Sequence, residues 1–267
     1  MMRFDYHMHT PLCQHAKGSP VDYAKAAKAS GLKEIGFSDH CPMPTQYDDW
    51  RMAPHEFPDY LNLLEEARQA VPELNIRLGL EADYIAGFEN HIRELRKQAA
   101  FDYFIGSVHY ISPDWDLDNP TKLEKWKDQP YEVSWKQYYR CITESAQSGL
   151  FDIIGHPDLC KKFCHIPPGD LTPYYLPALE AIADNKLCIE INTSGRHKPI
   201  EEAYPSVRFL ELAFARDIPI VISSDAHNPE EVGRDFDWAK QFAWDVGYRF
   251  VQQFREGKRF PVSLSEF

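Results

Sequence analysis

The sequence predicts an α/β protein whose parallel strands close into a barrel with helices on the outside. Short β-rich runs alternate with amphipathic helical stretches along the chain, the pattern of a parallel α/β fold. The 267 residues are a normal length for a single α/β barrel. No Gly/Ser-rich linker or change of composition divides them, so we expect one domain spanning residues 1–267.

Seven strand–helix units account for most of the chain. Each strand run is short and rich in β-branched and aromatic residues, and each helical stretch spaces its apolar residues at helical intervals. The predicted strands are residues 3–7, 34–38, 76–81, 103–109, 151–155, 187–192 and 218–223. The predicted helices are residues 21–30, 58–71, 88–99, 135–148, 172–185, 206–216 and 236–243, the last continuing toward Gly247. The long segments 41–57 and 112–131 are expected to be loops over the mouth of the barrel.

Composition narrows the functional class. The hydrophobic fraction of 43% indicates a folded globular protein, and the net charge of −12 argues against nucleic-acid and anionic-membrane partners. No run is long and apolar enough for a transmembrane helix, and no signal peptide is expected, which predicts a cytoplasmic protein. The six cysteines form no Cys-x-x-Cys pair and are expected to be reduced. Oligomeric state is not encoded in any of these patterns.

All seven predicted strands end in polar residues capable of chemistry. In a closed parallel barrel these ends meet on one face, where active sites lie. The ends carry, in chain order, His7 and His9 with His15 in the following loop, Asp39 and His40, Glu81 and Asp83, His109, His156, Asn192 to Arg196, and Asp225 and His227.

The pair His7 and His9 is the most specific of these signals. Residues i and i+2 point to the same face of a strand, so both imidazoles can hold one metal ion. Asp225 and His227 have the same spacing. A single strand-end histidine such as His109 is by itself more typical of a hydrogen-bonded structural residue. Seven of the eleven histidines lie at or just after strand ends, however, and together they indicate a metal site.

The candidate ligands are sufficient for two or three ions. Histidine and carboxylate together suit zinc, iron or manganese, and one tetrahedral ion needs about four ligands. Multi-metal sites of this kind favour hydrolytic phosphoryl transfer, because one ion generates hydroxide while others hold phosphate oxygens. The nine candidate ligands are His7, His9, His15, His40, Glu81, His109, His156, Asp225 and His227.

These strand ends resemble the motifs of the polymerase-and-histidinol-phosphatase (PHP) superfamily, in the right order and over nearly the whole chain. Three segments, residues 10–16, 155–163 and 190–196, resemble the histidinol-phosphatase branch more narrowly. The motifs that carry the resemblance are His7-Met8-His9-Thr10, Ser38-Asp39-His40, Gly79-Leu80-Glu81, Gly106-Ser107-Val108-His109, Gly155-His156 and Ser224-Asp225-Ala226-His227.

The resemblance implies a distorted (βα)7 barrel with a trinuclear metal centre and hydrolysis of L-histidinol phosphate, a step of histidine biosynthesis. It implies that Glu81 bridges two of the ions. The implied ligand sets are His7, His9, Glu81 and Asp225 for one ion, Glu81, His109 and His156 for a second, and His15, His40 and His227 for a third.

The resemblance also implies that basic residues after the fifth and sixth strands hold the phosphate. Arg196 matches the second of these positions, and Lys161 stands where the first is commonly arginine. A solvated loop charge is an equal interpretation for Lys161. Asp39 and His197 are candidates for assisting the leaving group, although Asp39 would serve equally as a residue that orients a ligand.

Substrate contacts and rival functions stay open at this stage. The aromatic residues of the two long loops, Tyr47, Trp50, Tyr110 and Trp115, would either stack on a substrate imidazole or pack the loops onto the barrel. The rivals are a metal-dependent amidohydrolase, a phosphoesterase of the same superfamily with a nucleotide or oligonucleotide substrate (a nuclease or polymerase-associated domain), and a non-catalytic metal-binding or regulatory module. The position of the bridging candidate Glu81 on the third strand argues against an amidohydrolase. The intact set of nine ligands argues against a non-catalytic module.

Overall fold

The computed structural model of the protein describes residues 2–267, and in this part of the chain seven parallel strands form a nearly closed barrel. The strands, in chain order, are β1 (Phe4–Asp5), β2 (Glu34–Phe37), β3 (Asn75–Asp83), β4 (Tyr103–Ser107), β5 (Tyr110–Ser112), β6 (Trp115–Asp116), β7 (Ile153–Ile154), β8 (Cys188–Asn192), β9 (Ile220–Ser223), β10 (Phe250–Arg255) and β11 (Lys258–Ser263). The barrel order is β1-β2-β3-β4-β7-β8-β9, with every neighbouring pair parallel.

The first and last barrel strands meet just beyond their ends. The amide of His9 donates to the carbonyl of Ala226 at 3.0 Å, and the amide of Ala226 donates to the carbonyl of His7 at 3.0 Å. This short parallel bridge brings the two segments that carry the metal-type pairs side by side. The predicted (βα)7 barrel is confirmed.

The helices cover the outside of the barrel and start close to where the sequence predicts them. The first begins at a capping box, in which the Ser19 hydroxyl accepts from the Asp22 amide and the Asp22 carboxylate accepts from the Ser19 amide. The helices are α1 (Pro20–Ala29), α2 (Phe57–Ala70), α3 (Glu89–Leu95), α4 (Tyr131–Gln147), α5 (Thr172–Asp184), α6 (Val207–Phe214) and α7 (Phe236–Val246). Within residues 2–267 no helix is both long and apolar enough to cross a membrane.

The interior of the barrel is filled by aromatic rings that need glycine opposite them. A Cβ on Gly36 would lie 2.3 Å from the Tyr103 hydroxyl oxygen, and one on Gly79 would lie 2.4 Å from the same ring. The hydroxyl of Tyr103 donates to the carbonyl of Tyr6 at 2.6 Å. The middle of the barrel is therefore a packed core, as in other α/β barrels.

A hairpin that the sequence prediction missed closes the amino-terminal end of the barrel. Strands β10 and β11 pair in antiparallel register, and the ring of Phe254 packs on Tyr6 at 6.1 Å and on Tyr103 at 6.0 Å between centroids. The amide of Glu256 in the turn donates to the carboxylate of Asp102 at 2.9 Å, next to the start of β4. The carboxyl ends of the strands are left for the functional site.

Candidate metal centre

The polar ends of the barrel strands converge around a single cavity of about 310 Å³. His7 and His9 lie fully buried beneath it. Seven of the nine candidate ligands line its wall, namely His15, His40, Glu81, His109, His156, Asp225 and His227. Residues that are up to 220 positions apart in the sequence, from 7 to 227, are thus brought together by the barrel.

The first predicted ligand set has the spacing of atoms around one ion. Two donors each about 2.1 Å from an ion at a tetrahedral angle are about 3.4 Å apart. The His7 Nε2 lies 3.4 Å from the Glu81 Oε2 and 3.7 Å from the Asp225 Oδ1. The His9 Nε2 lies 3.7 Å and 3.2 Å from the same two oxygens. Four side chains from three strand ends therefore surround one point.

The second predicted set lies on the other oxygen of Glu81. The Nε2 of His156 is 2.9 Å from the Glu81 Oε1, and the Nε2 of His109 is 3.7 Å from it. The hydroxyl of Ser107 donates to the same oxygen at 2.6 Å. Because the two carboxylate oxygens face different histidine groups, Glu81 has the geometry of a bridging ligand.

The third predicted set, His15, His40 and His227, stays a prediction, and its members belong to two groups of donor atoms. His40 points its Nδ1 at the Glu81 Oε2, 2.9 Å away, and its ring centroid is 6.3 Å from that of His227. Donor atoms that lie within 4.8 Å of one another form two groups here, His9 with His40 and His227, and Cys13 with His15 and His227. The rings of His15 and His40 are stacked with centroids 5.4 Å apart, so the two groups adjoin each other.

Most of these histidines have one ring nitrogen held by an acceptor outside the cluster. This hydrogen bond fixes the ring and leaves the other nitrogen free for a metal ion. Three acceptors are carboxylates and two are backbone carbonyls. The Nδ1 pairs are His7 with Glu190 at 2.7 Å, His109 with Asp83 at 2.8 Å, His9 with Asp39 at 3.4 Å, His15 with the Cys13 carbonyl at 2.7 Å, and His227 with the Asp225 carbonyl at 3.0 Å.

Glu190 is a site residue that sequence reasoning missed, and Asn192, identified there only as a polar strand end, is one of its partners. Both lie on β8, and Glu190 holds His7. The side-chain amide of Asn192 donates to Glu190 at 3.0 Å and to Asp225 at 3.1 Å. Two polar residues at i and i+2 in an otherwise apolar strand share one face, which is the signal that would have identified them.

Several buried atoms of the cluster have no hydrogen-bond partner among residues 2–267. Among them are the His7 Nε2, the His40 Nδ1 and the Glu81 Oε2, and both nitrogens lie close to that oxygen. Buried polar atoms are almost always satisfied in folded proteins, so unpaired ones converging on one point indicate a missing partner. A divalent cation fits this donor set of imidazoles and carboxylates.

The charges of the cluster are strongly coupled. Burial alone would raise the pKa of Glu81, but the surrounding imidazoles, His40 and His7 foremost, hold it well below its usual range. Burial favours neutral His109, yet the Asp83 carboxylate outweighs this and raises the pKa of His109 to about 10. Burial together with the charge of His9 holds the pKa of His227 well below its usual range.

Metal binding should therefore release protons at neutral pH. Burial opposes the charged form of His7, but the Glu190 carboxylate raises its pKa well above the usual range. The Asp225 carboxylate raises the pKa of buried His9 in the same way, as Asp83 does for His109. We therefore expect these rings to hold protons at neutral pH when no metal is bound, and a metal ion must displace them. We expect metal affinity to fall as the pH is lowered. Titration calorimetry of Zn²⁺ in buffers of different ionisation enthalpy should show at least one proton released, and buffer-independent heats would contradict this.

The basic residues assigned to phosphate by sequence lie around a neighbouring cavity of about 540 Å³. The ammonium of Lys161 is buried and paired with Asp158 at 3.1 Å and Glu202 at 3.0 Å. The guanidinium of Arg196 pairs with Asp235 at 2.9 Å and stacks over a tryptophan ring. Their role in phosphate binding stays a prediction, and neither side chain needs an anion to balance its charge.

Three other basic residues line the metal cavity itself, Lys162, Lys198 and Arg234. Residues 159–161 form a short 3-10 helix, in which successive side chains point in directions about 120° apart. Lys161 and its neighbour Lys162 consequently face different cavities, a distinction that the sequence pattern did not resolve.

The two leaving-group candidates also occupy distinct positions. Asp39 is fully buried behind His9, where its carboxylate accepts from the amides of Thr10 at 3.1 Å and His40 at 2.8 Å. This is the position of a residue that orients a ligand. His197 is exposed, and its ring pairs with Asp235 at 2.7 Å.

Comparison with known proteins finds a matching family model and named relatives. The PHP domain model matches residues 5–194. A Deinococcus radiodurans protein named "Probable histidinol-phosphatase" is 42% identical over 259 residues, covering 96% of this chain and 98% of that protein. The "Histidinol-phosphatase" of Bacillus subtilis is 31% identical over 262 residues, covering 89% and 98%.

A similar barrel is found in a crystal structure of histidinol phosphate phosphatase from Lactococcus lactis subsp. lactis complexed with zinc, L-histidinol and phosphate. It superimposes with a TM-score of 0.78 over 97% of this chain and 98% of that chain, at 20% sequence identity. At this level of identity the likeness establishes the fold.

Proposed function

This chain belongs to the PHP domain family, in the branch of the histidinol-phosphatases, and on that premise we propose that it hydrolyses L-histidinol phosphate to L-histidinol and inorganic phosphate. The observation that carries the proposal is the convergence of nine imidazole and carboxylate side chains around one cavity at the carboxyl ends of the strands. Clusters of this kind activate water and hold phosphate oxygens in hydrolytic phosphoryl transfer.

Two or three divalent ions, zinc, iron or manganese, would be held by this chain. The set His7, His9, Glu81 and Asp225 would hold one, and Glu81 would share a second with His109 and His156. A third would lie on the side of His15 and His227. When bound, such ions lower the pKa of water to about 7 and neutralise charge on the phosphoryl oxygens.

The phosphate group would contact the basic residues that line the metal cavity. Lys162 pairs with Asp118 at 3.0 Å, and Lys198 is exposed at the rim. These ammonium groups would pair with phosphoryl oxygens that point away from the metal ligands, which positions the ester and stabilises its charge.

Removing either lysine should weaken substrate binding more than removing Arg196 does. We expect Lys162→Ala and Lys198→Ala each to raise KM about ten-fold or more, since a hydrogen bond to a charged group contributes about 1.5–3 kcal/mol. Arg196→Ala should change KM less, because Arg196 lines the neighbouring cavity and not the metal cavity. Steady-state kinetics with metal content measured in parallel tests this. A larger effect for Arg196 would restore the sequence-based assignment.

The alcohol part of the substrate would occupy the adjoining cavity of about 240 Å³, which shares Lys162 and three of the histidines with the metal cavity. Its wall carries Trp50 and the carboxylates of Asp116 and Asp118. An aromatic ring and two acids suit an imidazole and an ammonium group. The other loop aromatics pack among themselves, Tyr47 on Tyr110 and Trp115 on Trp126, with ring centroids 5.0 Å and 5.2 Å apart.

The hydroxyl of Tyr204 supplies a hydrogen-bond donor near the reacting group. Tyr204 lines the metal cavity, and its buried hydroxyl has no hydrogen-bond partner within residues 2–267. Burial and the nearby Asp158 carboxylate raise its pKa well above the usual range, so it stays protonated at neutral pH. It can donate to a phosphoryl or leaving-group oxygen without ionising.

Hydrolysis of a panel of substrates tests the proposed function, measured as phosphate release from the monoesters, as strand cleavage for the oligonucleotide and as amine release for the amide. The metal-loaded protein is assayed with L-histidinol phosphate, p-nitrophenyl phosphate, a nucleoside monophosphate, a short oligonucleotide and an amide. We expect kcat/KM to be highest for L-histidinol phosphate. Preference for the oligonucleotide or the amide would assign the chain to one of the rival activities, and a fully loaded protein inert toward every ester would refute the proposal.

A further inference from the structure

Cys13 lies among the histidines of the third ligand group, although neither the sequence motifs nor the implied ligand sets include it. The side chain is fully buried, and its Sγ lies within 4.8 Å of a ring nitrogen of both His15 and His227. We propose that Cys13 is a thiolate ligand of a divalent ion held with these two histidines. This proposal rests on the metal-dependent function proposed above and specifies the composition of one of its sites.

The local backbone brings Cys13 and His15, two of the three proposed ligands, close together. Residues Pro11–Cys13 form a 3-10 helix capped by Thr10, and Gln14 follows with a φ of 67°, in the left-handed region. This turn brings the ring of His15 back so that its Nδ1 donates to the Cys13 carbonyl at 2.7 Å. A carbonyl oxygen only accepts, so the Nε2 of neutral His15 carries the free lone pair.

His227, in the segment that follows β9, is held in the same way. Its Nδ1 donates to the carbonyl of Asp225 at 3.0 Å, which leaves its Nε2 free. The rings of His15 and His227 are stacked with centroids 4.7 Å apart. Two imidazoles fixed by backbone carbonyls and presenting the same nitrogen are typical of metal-binding histidines.

The environment of the sulfur suits an anionic ligand. The amide of Ala16 donates to the Cys13 Sγ at 3.3 Å, a contact that stabilises negative charge on sulfur. On its other side Cys13 approaches His9 and Asp39. The Asp39 oxygens already accept from the Thr10 amide, the Thr10 hydroxyl and the His40 amide. Asp39 is therefore committed to those donors, and the free nitrogens lie on the side of His15 and His227.

A cysteine ligand would distinguish this ion from the others. The two groups around Glu81 offer only imidazole and carboxylate, whereas a sulfur with two imidazoles forms a softer site that favours zinc over manganese. The third position would then hold zinc or its cobalt substitute more selectively than the bridged pair does.

Cobalt substitution tests the sulfur contact directly, through absorption that does not depend on turnover. The metal-free protein is titrated with Co²⁺, and the near-ultraviolet sulfur-to-cobalt charge-transfer band is recorded for the wild type, Cys13→Ser and Cys13→Ala. Cys41→Ser is the matched control, because Cys41 is equally buried and directly follows His40. We expect the band in the wild type and in Cys41→Ser, and its loss with one fewer tightly bound ion in both Cys13 variants.

The result overturns the proposal if the wild type shows no charge-transfer band, or if Cys13→Ser keeps it. Circular dichroism shows whether the variants fold. If neither Cys13 variant folds, each of the other five cysteines is replaced singly. A charge-transfer band that persists in all five variants is assigned to Cys13, and its loss in any one of them refutes the role of Cys13. Phosphatase activity of the wild type is a separate readout. Turnover without the charge-transfer band would refute only the proposal that Cys13 is a ligand, and the band without turnover would refute only the proposed function.

Discussion

Replacing His9 with alanine is expected to abolish phosphatase activity and lower the metal content while the barrel stays folded. The Nε2 of His9 is within 3.7 Å of both Glu81 and Asp225, so its loss opens the first ligand set and also removes a member of the group around His227. Mutating a residue that only orients a metal ligand lowers metal affinity or activity by about 10–100-fold. A direct ligand that belongs to two groups should exceed that range.

The matched control is His55→Ala. His55 is an exposed histidine in a short 3-10 helix, Pro54–Glu56, that directly precedes α2. It should keep wild-type kcat/KM and metal content. Elemental analysis of both variants, with thermal unfolding followed by circular dichroism, separates loss of metal from loss of fold. Near-normal turnover by a metal-depleted His9→Ala protein would contradict a metal-dependent mechanism.

The position of the cluster was predictable because strand ends are marked in the sequence. His7 and His9, and likewise Asp225 and His227, have a spacing of two residues, and the parallel connection of the strands brings their ends to one face whatever their separation along the chain. The barrel did not have to be known in detail for this inference. Only the order and direction of its strands were needed.

The partners behind the ligands were not predictable in the same way. Glu190 lies inside β8, where a carboxylate is unfavourable unless another polar group meets it, and its partner His7 is 183 residues away. Its position in the strand shows that it needs a partner but not which one. The sequence likewise does not show that Lys161 and its neighbour Lys162 line different cavities, and the phosphate-binding role of Lys161 stays a prediction.

The carboxy-terminal hairpin was missed for a different reason. Residues 250–255 and 258–263 alternate in burial only partly, and five of the twelve positions carry exposed charged or aromatic side chains, namely Phe250, Arg255, Lys258, Arg259 and Phe260. The turn at Glu256 and Gly257, where both residues have positive φ, is the local signal that identifies a two-residue hairpin. Its function is to cover the aromatic core around Tyr6 and Tyr103, so it positions the site without contributing to it.

Replacing Glu81 with glutamine should have an effect at least as large as that of His9→Ala, because it changes two ligand groups at once. The Oε2 faces His7 and the Oε1 faces His156, and an uncharged amide is a poor bridge between two cations. We expect two ions to be lost and kcat/KM to fall by more than about 100-fold. This exceeds the effect of mutating a residue that only orients a ligand. Glutamine preserves the size of the side chain, so the packing of β3 is retained.

Glu34→Gln is the matched control for removing a buried carboxylate from the same barrel. Glu34 starts β2 at the amino-terminal end, where it pairs with Arg77 and accepts from the Tyr6 hydroxyl. Its replacement should lower the free energy of unfolding by about 1–3 kcal/mol, since buried partners lose a charged acceptor, but leave metal content and kcat/KM unchanged. If both variants lose activity in proportion to stability, Glu81 acts through the fold. Loss of metal and turnover confined to Glu81→Gln instead assigns the bridging role to its carboxylate.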